Sequence, residues 1–162
     1  MKRWTVLLAA VAFLFSLAPT QAEAQVTFGP QVVLFDFEDV GVGARADFEL
    51  TDAFGIEDGF FEGIFATVNG NYVFQDSDVT TLLFNGNVAV PFDTDTQVAP
   101  YAGAGINYLR HSFDGFSTSN SGLNLLGGIF FDLGEIPAFA ELQYSTTVTG
   151  YLSLSAGVLF GG

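Results

Sequence analysis

From Gln25 to the end of the chain, apolar and polar residues alternate with a period of two, and turn-forming residues interrupt the pattern about every ten to fifteen residues. A period of two belongs to strands, whose successive side chains point to opposite faces. Eight such segments are expected, at 26–35, 39–50, 60–74, 79–92, 98–111, 122–133, 136–146 and 150–160. The breaks between them are mostly short and rich in Asp, Gly, Ser or Thr, as hairpin loops are. Short connections pair neighbours antiparallel, so the expected sheet is a meander. No stretch shows helical periodicity with caps. A chain of 162 residues allows one domain, and no linker divides it.

Each segment sorts into an apolar and a polar face. In the second, Val40, Val42, Ala44, Ala46, Phe48 and Leu50 oppose Gly41, Gly43, Arg45, Asp47 and Glu49. In the fifth, Ala102, Ala104, Ile106 and Tyr108 oppose Gly103, Gly105 and Asn107. Alternation alone does not say which face meets solvent. Composition does. Charged residues are only 14% of the chain, hydrophobic ones 49%, and mean hydropathy is +0.42. A soluble lipocalin-like barrel that buried its apolar face would carry Lys, Arg and Glu on the other. Here the polar faces hold mainly Gly, Asn, Ser, Thr and Gln, which suit the crowded interior of an eight-stranded barrel. Apolar outside, polar inside, in segments of about ten residues, is the pattern of a transmembrane β-barrel. The soluble binder remains the alternative.

The first residues have another purpose. Lys2 and Arg3 precede an apolar run of 13 residues, Val6–Ala18, and Ala22-Glu23-Ala24 offers a cleavage site. These are the parts of a Sec-type secretory signal peptide over 1–24. The run is too short for a membrane-spanning helix, which needs about 20 residues. The mature barrel would then occupy 25–162, without Trp4, the chain's one tryptophan. The formal charge of −14 and the four Lys and Arg residues exclude a nucleic-acid role, which needs clustered cations. Absence of Cys excludes disulfides and thiol chemistry.

A sheet crossing lipid must close, because each unpaired backbone group costs several kcal/mol there. The first and eighth strands should therefore pair, and both termini then lie on one side. In bacterial barrels that side is periplasmic and carries the shorter connections. That gives turns at 51–59, 93–97 and 134–135, and external loops at 36–38, 75–78, 112–121 and 147–149. The first turn is long for its side. Aromatic residues near the ends of the apolar faces, among them Phe28, Phe48, Phe92, Tyr108, Tyr144 and Phe160, would form interfacial girdles.

Three later segments carry a family resemblance. Val98-Ala99-Pro100-Tyr101-Ala102-Gly103-Ala104-Gly105-Ile106-Asn107-Tyr108 resembles the "APYxGxGxGY" strand of the outer-membrane β-barrel domain family, which includes OmpA-like and OmpX-like small barrels and opacity-type porins. Gly122–Phe131 is similar to its "GxNLGGGxxF" strand, and Ile136–Tyr144 to its "xPFxExxY" strand. The ending Leu154–Phe160 resembles the terminal strand that the barrel assembly machinery reads, which assigns Gly157 and Phe160 to an assembly signal. Gly161 and Gly162 follow the aromatic residue that usually ends that strand. The resemblance implies a Gram-negative outer-membrane location, contact with outer-membrane lipids and a monomer. It implies a structural, envelope-integrity or loop-display role without a wide pore, with a narrow channel for small solutes as the alternative.

Arg45 is the one cation placed mid-strand, on a lumen face. A buried guanidinium needs a partner. The expected one is Glu141, mid-strand in the seventh segment, with Asp47 as the fallback. No catalytic, metal or cofactor site is expected. His111 lies close to Ser112 and Asp114, but that spacing carries no motif. The acidic pairs at Asp36/Glu38/Asp39, Asp76/Asp78 and Asp93/Asp95 lack the ordered spacing of a calcium loop and are read as turn formers. The Gly-rich stretches 103–105 and 127–128 lack the Lys and the strand-to-helix context of a phosphate loop.

Overall fold

A computed structural model describes residues 26–56, 58–75, 79–147 and 149–161. The segment expected to be a signal peptide and the Asp76/Asp78 pair lie outside these residues. The strands are β1 (Val26–Phe35), β2 (Asp39–Glu49), β3 (Phe65–Phe74), β4 (Thr80–Pro91), β5 (Ala99–Phe113), β6 (Phe116–Leu133), β7 (Ile136–Ser145), β8 (Tyr151–Val158) and β9 (Phe160–Gly161), with one helical turn, α1 (Thr51–Phe54), after β2. Every neighbouring pair is antiparallel and follows chain order. β1 pairs with β2 on one side and with β8 and β9 on the other, which closes the sheet into a barrel.

β9 is the end of the eighth barrel strand. Its Phe28↔Phe160 pairing keeps the register that β8 sets at Gln31↔Gly157. The interruption falls opposite Gly29 and Pro30, where Pro30 has no N–H to offer. The barrel is therefore eight-stranded.

The alternation expected from sequence appears as alternating exposure. Val40 and Val42 are about half exposed (50% and 48%), whereas Arg45 and Asp47 on the same strand are buried. Ile106 is 64% exposed between the inward Gly105 and Asn107. The apolar face is the outer one. This is the reverse of a soluble lipocalin-like binder, which buries its apolar face around a ligand.

Most strand ends fall within two residues of the sequence reading, and three features differ more. β3 begins at Phe65 rather than at 60, because Gly59 and Gly63 have φ of 99° and 72° and keep the chain turning. The one-turn helix α1 was not expected; Gly55 closes it at φ 63°. The expected loop at 112–121 is instead a continuous hairpin. Phe113 pairs with Phe116, and only Asp114 and Gly115 (φ 42° and 83°) form the turn. Left-handed conformation at both central residues is the hairpin turn that Asp-Gly favours.

Candidate functional site

The inward rows of the strands fill the barrel in layers. At the end that carries the termini, Phe65, Ala89, Tyr101 and Leu126 form a buried apolar cluster, with Phe130 packed against it. Tyr101 and Phe130 stack at 4.6 Å between ring centroids. At the other end, Val33, Phe35, Val73, Leu83, Leu109 and Tyr151 form a second cluster. Polar side chains lie between the two.

Arg45 anchors the polar zone next to the first cluster. It is 2% exposed. Its Nε donates to Asp47 Oδ1 at 2.7 Å, and its Nη1 donates to Glu141 Oε2 at 2.9 Å. Tyr101 joins both. It accepts from Arg45 Nη1 at 3.2 Å and donates to Glu141 Oε2 at 2.9 Å. The guanidinium also lies 4.2 Å from the Phe139 ring centroid, within the range of a cation–π contact. The structure thus brings Arg45, Asp47 and Glu141 into one cluster, spanning β2 and β7 across the interior. Sequence reasoning missed Tyr101 and Phe139 as members. Strand parity could have found Tyr101, since Ala102 and Ala104 point outward and the residue before them must point in.

Beyond this cluster the lumen is built of amides. Gln31 donates to Asn71 Oδ1 at 2.6 Å, and Asn71 and Asn85 both donate to Asn69 Oδ1. Gln143 donates to Asn85 Oδ1 at 3.1 Å, while Asn124 donates to Asn87 Oδ1 at 2.7 Å. Asn107 and Ser145 donate to Asn124 Oδ1. The network links β1, β3, β4, β5, β6 and β7. An amide can both donate and accept, so most members satisfy one another where water is scarce, while the buried Gln31 Oε1 and Asn107 Oδ1 have no partner among the described residues.

The lumen glycines do not leave gaps, because neighbours occupy the space above them. A Cβ at Gly157 would stand 2.8 Å from Phe139 Cε1, and one at Gly41 would stand 2.8 Å from Val33 Cγ1. Gly43 and Gly105 make room in the same way for Asn71 and Asn87, and Gly128 for the Tyr101 ring.

The remaining candidates sit at the rims. His111 Nδ1 lies 2.7 Å from Thr81 Oγ1, which donates to Gln75 Oε1 at 2.6 Å, and Gln75 in turn donates to Asp39 Oδ2. Ser112 and Asp114 take no part in this chain. Thr81 is fully buried, so the chain of bonds braces the rim and presents no accessible nucleophile. Asp36, Asp93 and Asp95 are exposed in turns. Gly157 is an inward residue of β8, and Phe160 is 46% exposed on the outer face.

A closed up-and-down barrel with an apolar outside and a packed polar lumen has the fold of small outer-membrane β-barrels. The chain is similar to the N-terminal β-barrel domain of Pseudomonas aeruginosa OprF, at 17% identity and a TM-score of 0.58, over 86% of this chain and 100% of that one. It is similar to Neisserial surface protein A at 18% identity and a TM-score of 0.50, over 86% of this chain and 96% of that one. It also resembles the outer-membrane enzyme PagL, at 11% identity and a TM-score of 0.54, over 83% and 98% of the two chains. At these identities the likeness shows a shared fold alone. No protein-family model matches the chain, and no curated protein does.

Proposed function

We propose that this protein is a small Gram-negative outer-membrane barrel that serves the envelope as a lipid-embedded scaffold, supporting its integrity or displaying external hairpins, and that it forms no wide pore. Segment 1–24 exports it as a cleaved signal peptide. The barrel assembly machinery reads the end of the last strand at Gly157 and Phe160, and the inserted barrel is a monomer among outer-membrane lipids. The protein is not an enzyme and needs no cofactor.

One observation carries this reading. The polar zone of the lumen lies between two apolar clusters, Phe65/Ala89/Tyr101/Leu126 at one end and Val33/Phe35/Val73/Leu83/Leu109/Tyr151 at the other. Eight strands enclose a space that side chains fill, whereas aqueous channels need about sixteen. Water and ions would have to pass both apolar layers and the amide network between them. Display falls to the β5–β6 hairpin, whose Phe116 is 82% exposed at the end away from the termini.

Planar-bilayer recording tests the sealed lumen, with insertion verified by heat-modifiable migration on gels. Silence at high protein density is expected; a steady conductance would replace the scaffold by the narrow channel. An epitope placed between Asp114 and Gly115 tests display. Antibody should reach it on intact cells, and labelling only after the outer membrane is broken would overturn that assignment.

A further inference from the structure

The connection between β2 and β3 has no part in the scaffold reading. It leaves the ladder after Leu50, whose N–H donates to Ile64 O at 2.9 Å, and everything between is an excursion from the barrel wall. It is long for the end that carries the termini, where β6 and β7 need only Gly134 and Glu135. It is also apolar in an unusual place. Phe54, Phe60 and Phe61 are 68%, 67% and 53% exposed. Exposed phenylalanines clustered on one connection mark a contact surface rather than a solvated turn.

The geometry shows which way the surface faces. Phe60 and Phe61 meet edge-on at 5.1 Å, and Phe60 lies 6.2 Å from Phe92. Phe92 continues the outward row Val88 and Val90 at the end of β4 and is itself 38% exposed. Gly63 turns with φ 72° directly against Pro91, where a Cβ would stand 2.9 Å from Pro91 Cγ. Pro91 shares the inward row with Ala89, so Gly63 turns at the rim of the wall, while the Phe60 ring lies beside the outward Phe92. The rings of this connection extend the lipid-facing belt.

We propose that residues 51–56 and 58–63 form an interfacial foot, with Phe60 and Phe61 inserted at the boundary between headgroups and acyl chains of the leaflet on the termini side. The inference rests on the lipid-facing reading of the barrel. Its occupant is a zwitterionic phospholipid surface. Interfacial segments that seek anionic lipid carry Lys and Arg on their polar face. Residues 50–64 contain none, and instead carry Asp52, Glu57, Asp58 and Glu62. Asp52, Asp58 and Glu62 are exposed, as is Asp93 beside Phe92. These carboxylates repel anionic headgroups and hold the polar edge of the foot in water, while the rings supply the insertion.

Residues 25–162 contain no tryptophan, so a single new tryptophan in the mature barrel reports from one place. Phe60→Trp and Phe61→Trp test the foot. Val88→Trp on the outer wall is the lipid reference, and Phe116→Trp at the hairpin tip is the water reference. Each variant is refolded into phosphatidylcholine vesicles with plain or brominated acyl chains, and folding is verified by the heat-dependent gel shift. Brominated chains should quench Phe60→Trp or Phe61→Trp at least about twofold, as for a ring buried just below the headgroups, and should leave Phe116→Trp unchanged. Replacing half the lipid by phosphatidylglycerol should reduce that quenching. If both foot variants ignore bromine and respond to acrylamide as Phe116→Trp does while Val88→Trp is quenched, the rings face water or a protein partner and the foot is rejected. An unquenched Val88→Trp would reject the transmembrane reading itself. Stronger quenching with phosphatidylglycerol would reject the zwitterionic occupant.

Discussion

Arg45 shows how one residue constrains a lumen. Its guanidinium contacts Asp47, Tyr101 and Glu141 through hydrogen bonds and Phe139 through its ring face. Desolvating a cation costs several kcal/mol, and only close partners offset it. Removing Arg45 leaves Asp47 and Glu141 buried without their cation, and removing Glu141 leaves the guanidinium with Asp47 as its one carboxylate. Arg45→Met or Glu141→Leu alone should therefore destabilise the folded barrel by about 3–5 kcal/mol, measured by urea unfolding in lipid vesicles. The double replacement should cost clearly less than the two losses added together, because the Arg45–Glu141 contact is lost only once, while Asp47 is left without its cation in Arg45→Met and in the double variant alike. Additivity within about 0.5 kcal/mol would mean the two side chains do not depend on each other. The Arg45 and Glu141 side chains could be nominated from sequence because both stand mid-strand on polar faces. Tyr101 could not be weighted in the same way: its hydroxyl role appears only once β5 is set opposite β6 and Glu141 is brought across.

At the scale of elements, what the sequence reveals depends on what surrounds the strand. Where one face meets lipid and the other a packed lumen, as in β2, β4 and β8, side chains differ sharply between faces and the strand is plain to see. Beyond the bilayer both faces are wet and the contrast fades. Ser112–Ser121 looked like a loop for that reason, although Asp114-Gly115 was a hairpin signal in its midst. Phe60 and Phe61 misled in the opposite sense, since apolar neighbours before Ile64 look like the start of a strand until Gly59 and Gly63 turn the chain away. The same contrast predicts tolerance to charge. Ala104 points outward at mid-belt, paired with Val88 and Leu125. Ala104→Arg should destabilise the inserted barrel by roughly 2–4 kcal/mol, whereas Phe116→Arg, at the tip of the β5–β6 hairpin, should change stability by less than about 1 kcal/mol. Unfolding midpoints in vesicles compare the two. Equal losses would contradict the placement of the lipid belt.

For the molecule as a whole the decisive event is closure, and closure is uneven. Every strand of a barrel is interior, so a proline has no free edge to occupy. Yet two flank the final strand. Across the β1–β8 seam, Asp36 N donates to Leu152 O at 2.7 Å, and the same alternation brings Pro30 opposite Val158 with no N–H to give. On the other side Leu159 N donates to Pro137 O at 2.8 Å, and Pro137 cannot return the bond. The last residues of the closing strand are thus held by one bond fewer from either neighbour. The β5–β6 ladder, by contrast, runs unbroken from Ala99↔Phe130 to Phe113↔Phe116. Local opening follows the weakest run of backbone bonds. In detergent micelles, amides of Thr27–Gly29, Gln31 and Val158–Gly161 should therefore exchange with deuterium at least about tenfold faster than those of Ala102–Asn107, which lie in the middle of the wall. Pro30→Ala supplies the missing donor to Val158 and should slow exchange at Gln31 and Val158 while leaving Ala102–Asn107 as they were. Equal protection around the whole barrel, or no change in Pro30→Ala, would show that closure is held by side-chain packing inside the lumen rather than by the ladder at its seam.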